Sequence, residues 1–213
     1  YFMHKDPNGT DWWIDISNLS PGDRYSFQYW VDGDIKVADP YSELVLDPWN
    51  DDFIDAQTYP NPHPYPTGKT TGITSLIHMD KPTFNWQNSN FLPPNKDELI
   101  IYELHLRDFI ANHNYQTLID TLDYLERLGI NAIELMPVNE FEGNESWGYN
   151  PSFHMALDKY YGTPEKLKEF VDTCHGRGIA VFLDVVLNHA FSQSPLVQLY
   201  WDPSAGSFGE PTA

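Results

Sequence analysis

The chain has one cysteine, Cys174, among 213 residues. No intrachain disulfide can form, so stability must come from packing, and the redox compartment is left open. No run of roughly 18 apolar residues occurs, so no stretch reads as a membrane span. Basic side chains are scarce: 12 Lys and Arg stand against 31 Asp and Glu, a formal charge of -19. A field of that sign repels phosphate backbones and anionic lipid, which argues against a nucleic-acid partner. The first strand of the α/β region is not followed by Gly-x-Gly-x-x-Gly, which weighs against a dinucleotide fold. Tyr1 rather than Met opens the chain. An export signal would therefore precede it, and location stays open.

Flat rings, by contrast, are plentiful. Aromatics make up 15% of the chain, with 7 Trp and 13 Tyr, enough to build a core and leave rings over, and such rings suit sugar faces. Residues 1–56 carry a β signature in Trp12 to Ile16, Tyr25 to Val31 and Ile35 to Val37. Ser20-Pro21-Gly22-Asp23 and Asp32-Gly33-Asp34 supply the turns between them. Two or three strands cannot bury a face alone, and an Ig-like unit needs about seven. The expectation is a partial Ig-like β-sandwich whose front is missing. Trp12, Trp13 and Trp30 read as core from their strand positions, with contact to a sugar face as the other reading.

Residues 57–97 read as linker and irregular chain. Prolines at 60, 62, 64 and 66 force an extended, donor-poor backbone. Phe84 to Pro94 is expected to lie over the next domain.

From residue 98 to 213 the pattern becomes strand, helix, strand, helix, strand. Glu98 to Leu104 is the first strand. Asn114 can cap a helix with Leu118, Leu122 and Leu125 on one face, ending at Leu128-Gly129. Ile130 to Leu135 is the second strand, and a long loop from Pro137 to Gly162 follows. Loops of that length in compact domains are commonly functional. Thr163 and Pro164 open a helix with Leu167, Phe170, Val171 and Cys174 on one face, and Gly176 and Gly178 stop it. Cys174 therefore reads as core. The stretch Gly178 to His189 then runs apolar and delivers Asp184, Asn188 and His189 at its carboxyl end. A buried carboxylate without a partner is costly, so Asp184 in this setting reads as part of a site.

This alternation implies a parallel sheet, and candidate residues collecting after the second and third strands favour a barrel over a doubly wound sheet. The expected fold class is α/β plus all-β, the first part of a (β/α)8 TIM barrel preceded by the partial sandwich. In the acidic loop, Glu140, Glu142 and Glu145 have the composition of a metal cluster but read as a solvated face.

Asp184-Val185-Val186-Leu187-Asn188-His189, Ile101 to Phe109, Trp147-Gly148-Tyr149-Asn150-Pro151 and Tyr161-Gly162-Thr163-Pro164 together carry a resemblance. On them the chain closely resembles the α-amylase superfamily of retaining glycoside hydrolases, glycoside hydrolase family 13. Tyr25 to Ser42 is similar to the sandwich that precedes the barrel in pullulanase-, isoamylase- and branching-type members.

The resemblance implies that Tyr149 stacks on the sugar at the cleaved position, that His189 bonds its primary hydroxyl, and that Asp184 holds an arginine. Trp147 is open to packing or sugar contact. Asn188 would ligate a structural calcium ion through its amide oxygen. The implied partner is an α-glucan polysaccharide or oligosaccharide.

Retaining hydrolysis needs two carboxyl groups about 5 Å apart. In the family these follow the fourth and fifth strands, whereas this sequence stops at Ala213, just past its third. No catalytic carboxylate is therefore assigned within it. The nucleophile and the acid/base are expected beyond Ala213, and the chain is expected to be an inactive fragment of a larger α-glucan hydrolase. A branching or transglycosylating enzyme and a non-catalytic glucan-binding protein are the alternatives.

Overall fold

The structure is a computed structural model that describes residues 1–202, 204 and 210–211. Ala213, the position beyond which the reacting carboxylates are expected, lies outside the described residues. The first part of the chain holds seven short strands: β1 (His4–Lys5), β2 (Trp12–Trp13), β3 (Arg24–Phe27), β4 (Tyr29–Val31), β5 (Ile35–Val37), β6 (Val45–Leu46) and β7 (Thr74–His78). β1 pairs with β2, β4 with β5, and β7 lies between β3 and β6, all antiparallel. The β4–β5 turn forms as expected. Asp32 and Gly33 take φ of 54° and 75°, and the Asp34 amide closes the turn on the Val31 carbonyl at 3.1 Å.

Three expectations need correction here. Tyr25 to Val31 is two strands rather than one, broken at Gln28, whose side-chain amide donates to the Thr71 and Ile73 carbonyls at 3.0 and 2.8 Å. Trp12, Trp13 and Trp30 are not core but 58%, 51% and 65% exposed. They sit on two-stranded ribbons, and Lys5 and Lys36 lie over the Trp12 and Trp30 rings. The stretch 57–97 is not irregular throughout, because it contains β7. After Gly68 and Gly72, both at positive φ, the chain turns and Thr74, Ser75 and Leu76 are buried between two partner strands.

Phe84 to Pro94 does lie over the α/β region. The amides of Gln87 and Asn88 donate to the Asp172 carboxylate at 3.0 and 2.9 Å, and the Phe91 ring stacks on His175 at 4.1 Å.

That region contains β8 (Ile101–Leu104), a single helical turn α1 (Leu106–Phe109), α2 (Tyr115–Leu128), β9 (Ala132–Leu135), β10 (Asn139–Phe141), β11 (Pro151–Leu157), α3 (Pro164–Gly176), β12 (Ala180–Leu183) and α4 (Pro195–Tyr200). The α2 caps follow the sequence. Asn114 Oδ1 accepts from the Thr117 amide at 2.9 Å, and Gly129 ends the helix at φ 84°. Thr163 caps α3 in the same way, through the Lys166 amide.

Leu118, Leu122, Leu125, Phe170 and Cys174 are fully buried. Each such Leu or Phe contributes about 1.5–3 kcal/mol relative to exposure. Burial pushes the Cys174 thiol up to about 12, which suits an inert core residue.

β8, β9 and β12 form a parallel sheet in the order β12-β9-β8. Tyr102, Leu104, Ile133, Leu135 and Val181 pack with the apolar faces of α2 and α3. Alternation sends Glu103, Glu134 and Phe182, which share one register position, to the opposite face. The long loop of residues 137–162 is folded, with β10 and β11 pairing as an irregular antiparallel hairpin.

Candidate functional site

The site lies where the β10–β11 hairpin loop meets the chain leaving β12. Regular pairing in β12 stops at Leu183, but the Asp184 amide still bonds the Leu135 carbonyl at 2.9 Å. That bond holds Asp184 two residues past Phe182, on the face of Glu103 and Glu134.

The hairpin loop brings Tyr149 to it. The Tyr149 hydroxyl donates to Asp184 Oδ2 at 2.6 Å. This bond, then burial, then the charges of Asp184, Glu103 and Glu134 push the phenol up to about 12. It therefore remains protonated and keeps donating through the neutral range.

His189 closes the arrangement from the other side. Its Nε2 stands 2.8 Å from the Tyr149 carbonyl, and since a carbonyl only accepts, that nitrogen carries the proton. His154 Nε2 donates likewise to the His189 carbonyl at 3.2 Å, and the Phe191 amide bonds the Pro151 carbonyl at 2.8 Å. Ser192 Oγ donates to both oxygens of Glu142 at 2.9–3.0 Å.

Gly148 sets the loop's path. Its φ is 86°, and a Cβ there would stand 2.4 Å from the Pro137 carbonyl oxygen. No other residue gives both the conformation and the approach.

The structure thus joins three of the four candidate substrate-site residues, Tyr149, Asp184 and His189, through direct bonds. Trp147, two residues from Tyr149, is 59% exposed. The Tyr149 ring, 39% exposed, offers a flat apolar surface beside polar groups that can meet hydroxyls. Asn188 is exposed, and among the described residues no group of three His, Cys, Asp or Glu side chains could hold an ion.

Glu140 is not on a solvated face. It is 4% exposed and bonds the buried Lys159 Nζ at 2.9 and 3.0 Å. Lys159, 19 residues away in sequence and on a helical turn, gave no periodic signal that would predict the pair. Glu145 is exposed as expected, while Glu142 is partly covered. Sequence reasoning also passed over Glu103 and Glu134. Each is the lone charge in an otherwise apolar strand, a signal that was available.

A parallel βα sheet with an aromatic and polar cluster at its carboxyl end is the arrangement by which βα barrels present their sites. The family profile described as "Alpha amylase, catalytic domain" matches residues 91–198, half of the chain, and the chain belongs to that family. It is 32% identical over 189 residues to the malto-oligosyltrehalose trehalohydrolase of Saccharolobus solfataricus, covering 89% of this chain and 29% of that protein. It is also 32% identical over 197 residues to the 1,4-alpha-glucan branching enzyme of Vibrio cholerae, covering 86% of this chain and 24% of that protein. A Salmonella typhimurium crystal structure described as that of a "Putative alpha Amylase" superposes with a TM-score of 0.72 at 28% identity, over 99% of this chain and 32% of that one. The chain therefore spans under a third of the length of these relatives.

Proposed function

We propose that the protein containing this chain acts on α-glucan through a covalent glycosyl-enzyme with retention, and that residues 98–213 supply the first βα units of its barrel. The observation that carries this reading is Tyr149 at the carboxyl end of the sheet, its ring hydroxyl bonded to Asp184 and its backbone carbonyl to His189. Tyr149 stacks on a pyranose face, Trp147 extends the aromatic surface, and Asp184 orients a cationic group as well as the phenol. His189 meets a sugar hydroxyl through the nitrogen that the Tyr149 carbonyl leaves free. The reacting carboxylates, about 5 Å apart in a retaining site, are supplied by chain beyond Ala213. Residues 1–56, together with β7, make up part of an Ig-like accessory sandwich.

Similarity to a trehalohydrolase over most of the chain supports a malto-oligosaccharide substrate, with malto-oligosyltrehalose the first to try. The test is turnover by the full gene product on malto-oligosyltrehalose, malto-oligosaccharides and pullulan, with the anomer of the first product read by proton NMR. Trehalose release with retention supports the hydrolase, and longer branched products support transfer. Binding without turnover on every glucan would make the protein a glucan-binding relative. The 213-residue chain alone should turn over neither starch nor pullulan.

A further inference from the structure

The Tyr149 loop is anchored from outside the parallel sheet, by a turn in the first part of the chain. Asp47, Trp49, Asn50 and Asp51 form a self-bonded unit. The Asp47 carboxylate accepts from the Trp49 amide at 2.7 Å and from Asn50 Nδ2 at 2.8 Å, while Asp51 Oδ2 accepts from the Asp47 amide at 2.9 Å. Two groups of this turn reach the long loop of residues 137–162. The Asn50 carbonyl accepts from Asn144 Nδ2 at 2.8 Å, and Asp51 Oδ1 stands 3.2 Å from Lys159 Nζ.

Lys159 passes the contact on to Glu140 in β10 at 2.9 Å, with the side chains of Lys159 and Glu140 4% and 6% exposed. From there the loop is cross-linked by its own bonds. Asn150 Nδ2 donates to the Glu142 carbonyl at 3.0 Å, the Gly148 amide donates to Ser146 Oγ at 3.1 Å, and Ser146 bonds Asn150. Tyr149 stands between Gly148 and Asn150. Its position is therefore fixed at one end by Asp184 and at the other by a lattice that terminates on Asn50 and Asp51.

We propose that Asn50 and Asp51 are positioning residues for the sugar-stacking loop, so that the accessory segment sets how Tyr149 is presented to glucan. Neither touches the sugar; they act through Asn144 and Lys159. The inference rests on the glucan reading for its substrate and on the hydrogen-bond path for its mechanism.

The experiment uses the full-length protein with Asn144→Ala, Asp51→Asn, Tyr149→Ala and the double variants. Asn144→Ala should raise KM for malto-oligosaccharide about fivefold with kcat little changed. On the Tyr149→Ala background the same substitution should add nothing, because the ring it positions is gone. Asn144→Gln should restore part of the loss. An equal KM effect with and without Tyr149, or a fall in kcat with the melting temperature, would overturn the proposal in favour of general stabilisation. Amide exchange over residues 142–150 needs no substrate and separates the two readings. Faster exchange in Asn144→Ala or Asp51→Asn supports positioning even in a protein that turns over no glucan, and unchanged exchange defeats it. Asn144→Ala removes one partly buried side-chain amide and no charge, so it keeps the test open if Asp51→Asn fails to fold.

Discussion

The phenol of Tyr149 and the carboxylate of Asp184 meet at 2.6 Å across 35 residues of sequence. Tyr149→Phe keeps the ring and removes this bond, so its cost to affinity for a malto-oligosaccharide should be about 1 kcal/mol. Tyr149→Ala removes the stacking surface as well and should cost clearly more. Calorimetric titration of the full-length protein with maltotetraose checks the order. Equal losses for the two variants would mean that the ring itself contributes no binding.

Gly148 and Gly143 share nearly the same φ, 86° and 84°, but only Gly148 is pressed against backbone. Alanine at Gly143 should cost about 1–2 kcal/mol, from the left-handed conformation alone. Alanine at Gly148 adds a clash with the Pro137 carbonyl and should cost substantially more, with the hairpin loop displaced. Denaturant melts of the two variants give the comparison, and similar midpoints would contradict the steric argument.

Four charged groups share the buried cluster behind the hairpin. Burial pushes Asp158 up to about 7, with Lys159 opposing and Asp51 reinforcing the shift. Burial also raises Glu140 and Asp51 despite their ion pairs with Lys159, so desolvation outweighs the pairing there. Burial pulls Lys159 down, but the three carboxylates more than reverse it and keep the amine charged.

A carboxyl whose folded value lies above its ordinary one binds more protons in the native state. Its contribution is complete below the ordinary value near 4 and is lost as pH rises through about 7. Stability should therefore decline across this window in proportion to Asp158, and Asp158→Asn should flatten the slope. Urea melts at half-unit pH steps test it; a variant with the wild-type slope would assign the titration elsewhere.

Among the described residues β8 and β12 each pair on one side only. Ile101, Phe182, Leu183, Val185 and Leu187 are exposed nearby, from 41% to 78%. Free edges beside apolar surface template association. The 213-residue chain alone should self-associate or bind a hydrophobic dye, whereas a monodisperse monomer with a sharp melt would argue that these edges are covered.

Much of the parallel unit was legible because its signals are local. Asn114 and Thr163 cap where their side chains can reach the third following amide, and Leu118, Leu122, Leu125, Phe170 and Cys174 recur at the helical period. Asp184 and His189 stood out for a similar reason, as polar residues ending an apolar run.

The first part was less legible. Its strands are two to five residues long, too short for alternation to fix a face, so Trp12, Trp13 and Trp30 looked buried and are not. β7 was hidden behind a proline run because its pairing depends on β3 and β6, far earlier in the chain.

The sequence by itself determined helices α2 and α3, their caps, the succession of the parallel strands along the chain and the polar residues that end the third of them, since each depends on neighbours within a few positions. Only the tertiary structure decided that Tyr149 bonds Asp184, that Glu140 is buried with Lys159, and that Asn50 and Asp51 hold the hairpin loop. Glu140 and Lys159 are 19 positions apart, and Asn50 and Asn144 are 94 apart. The geometry of such contacts is set by how whole elements pack, which no local pattern encodes.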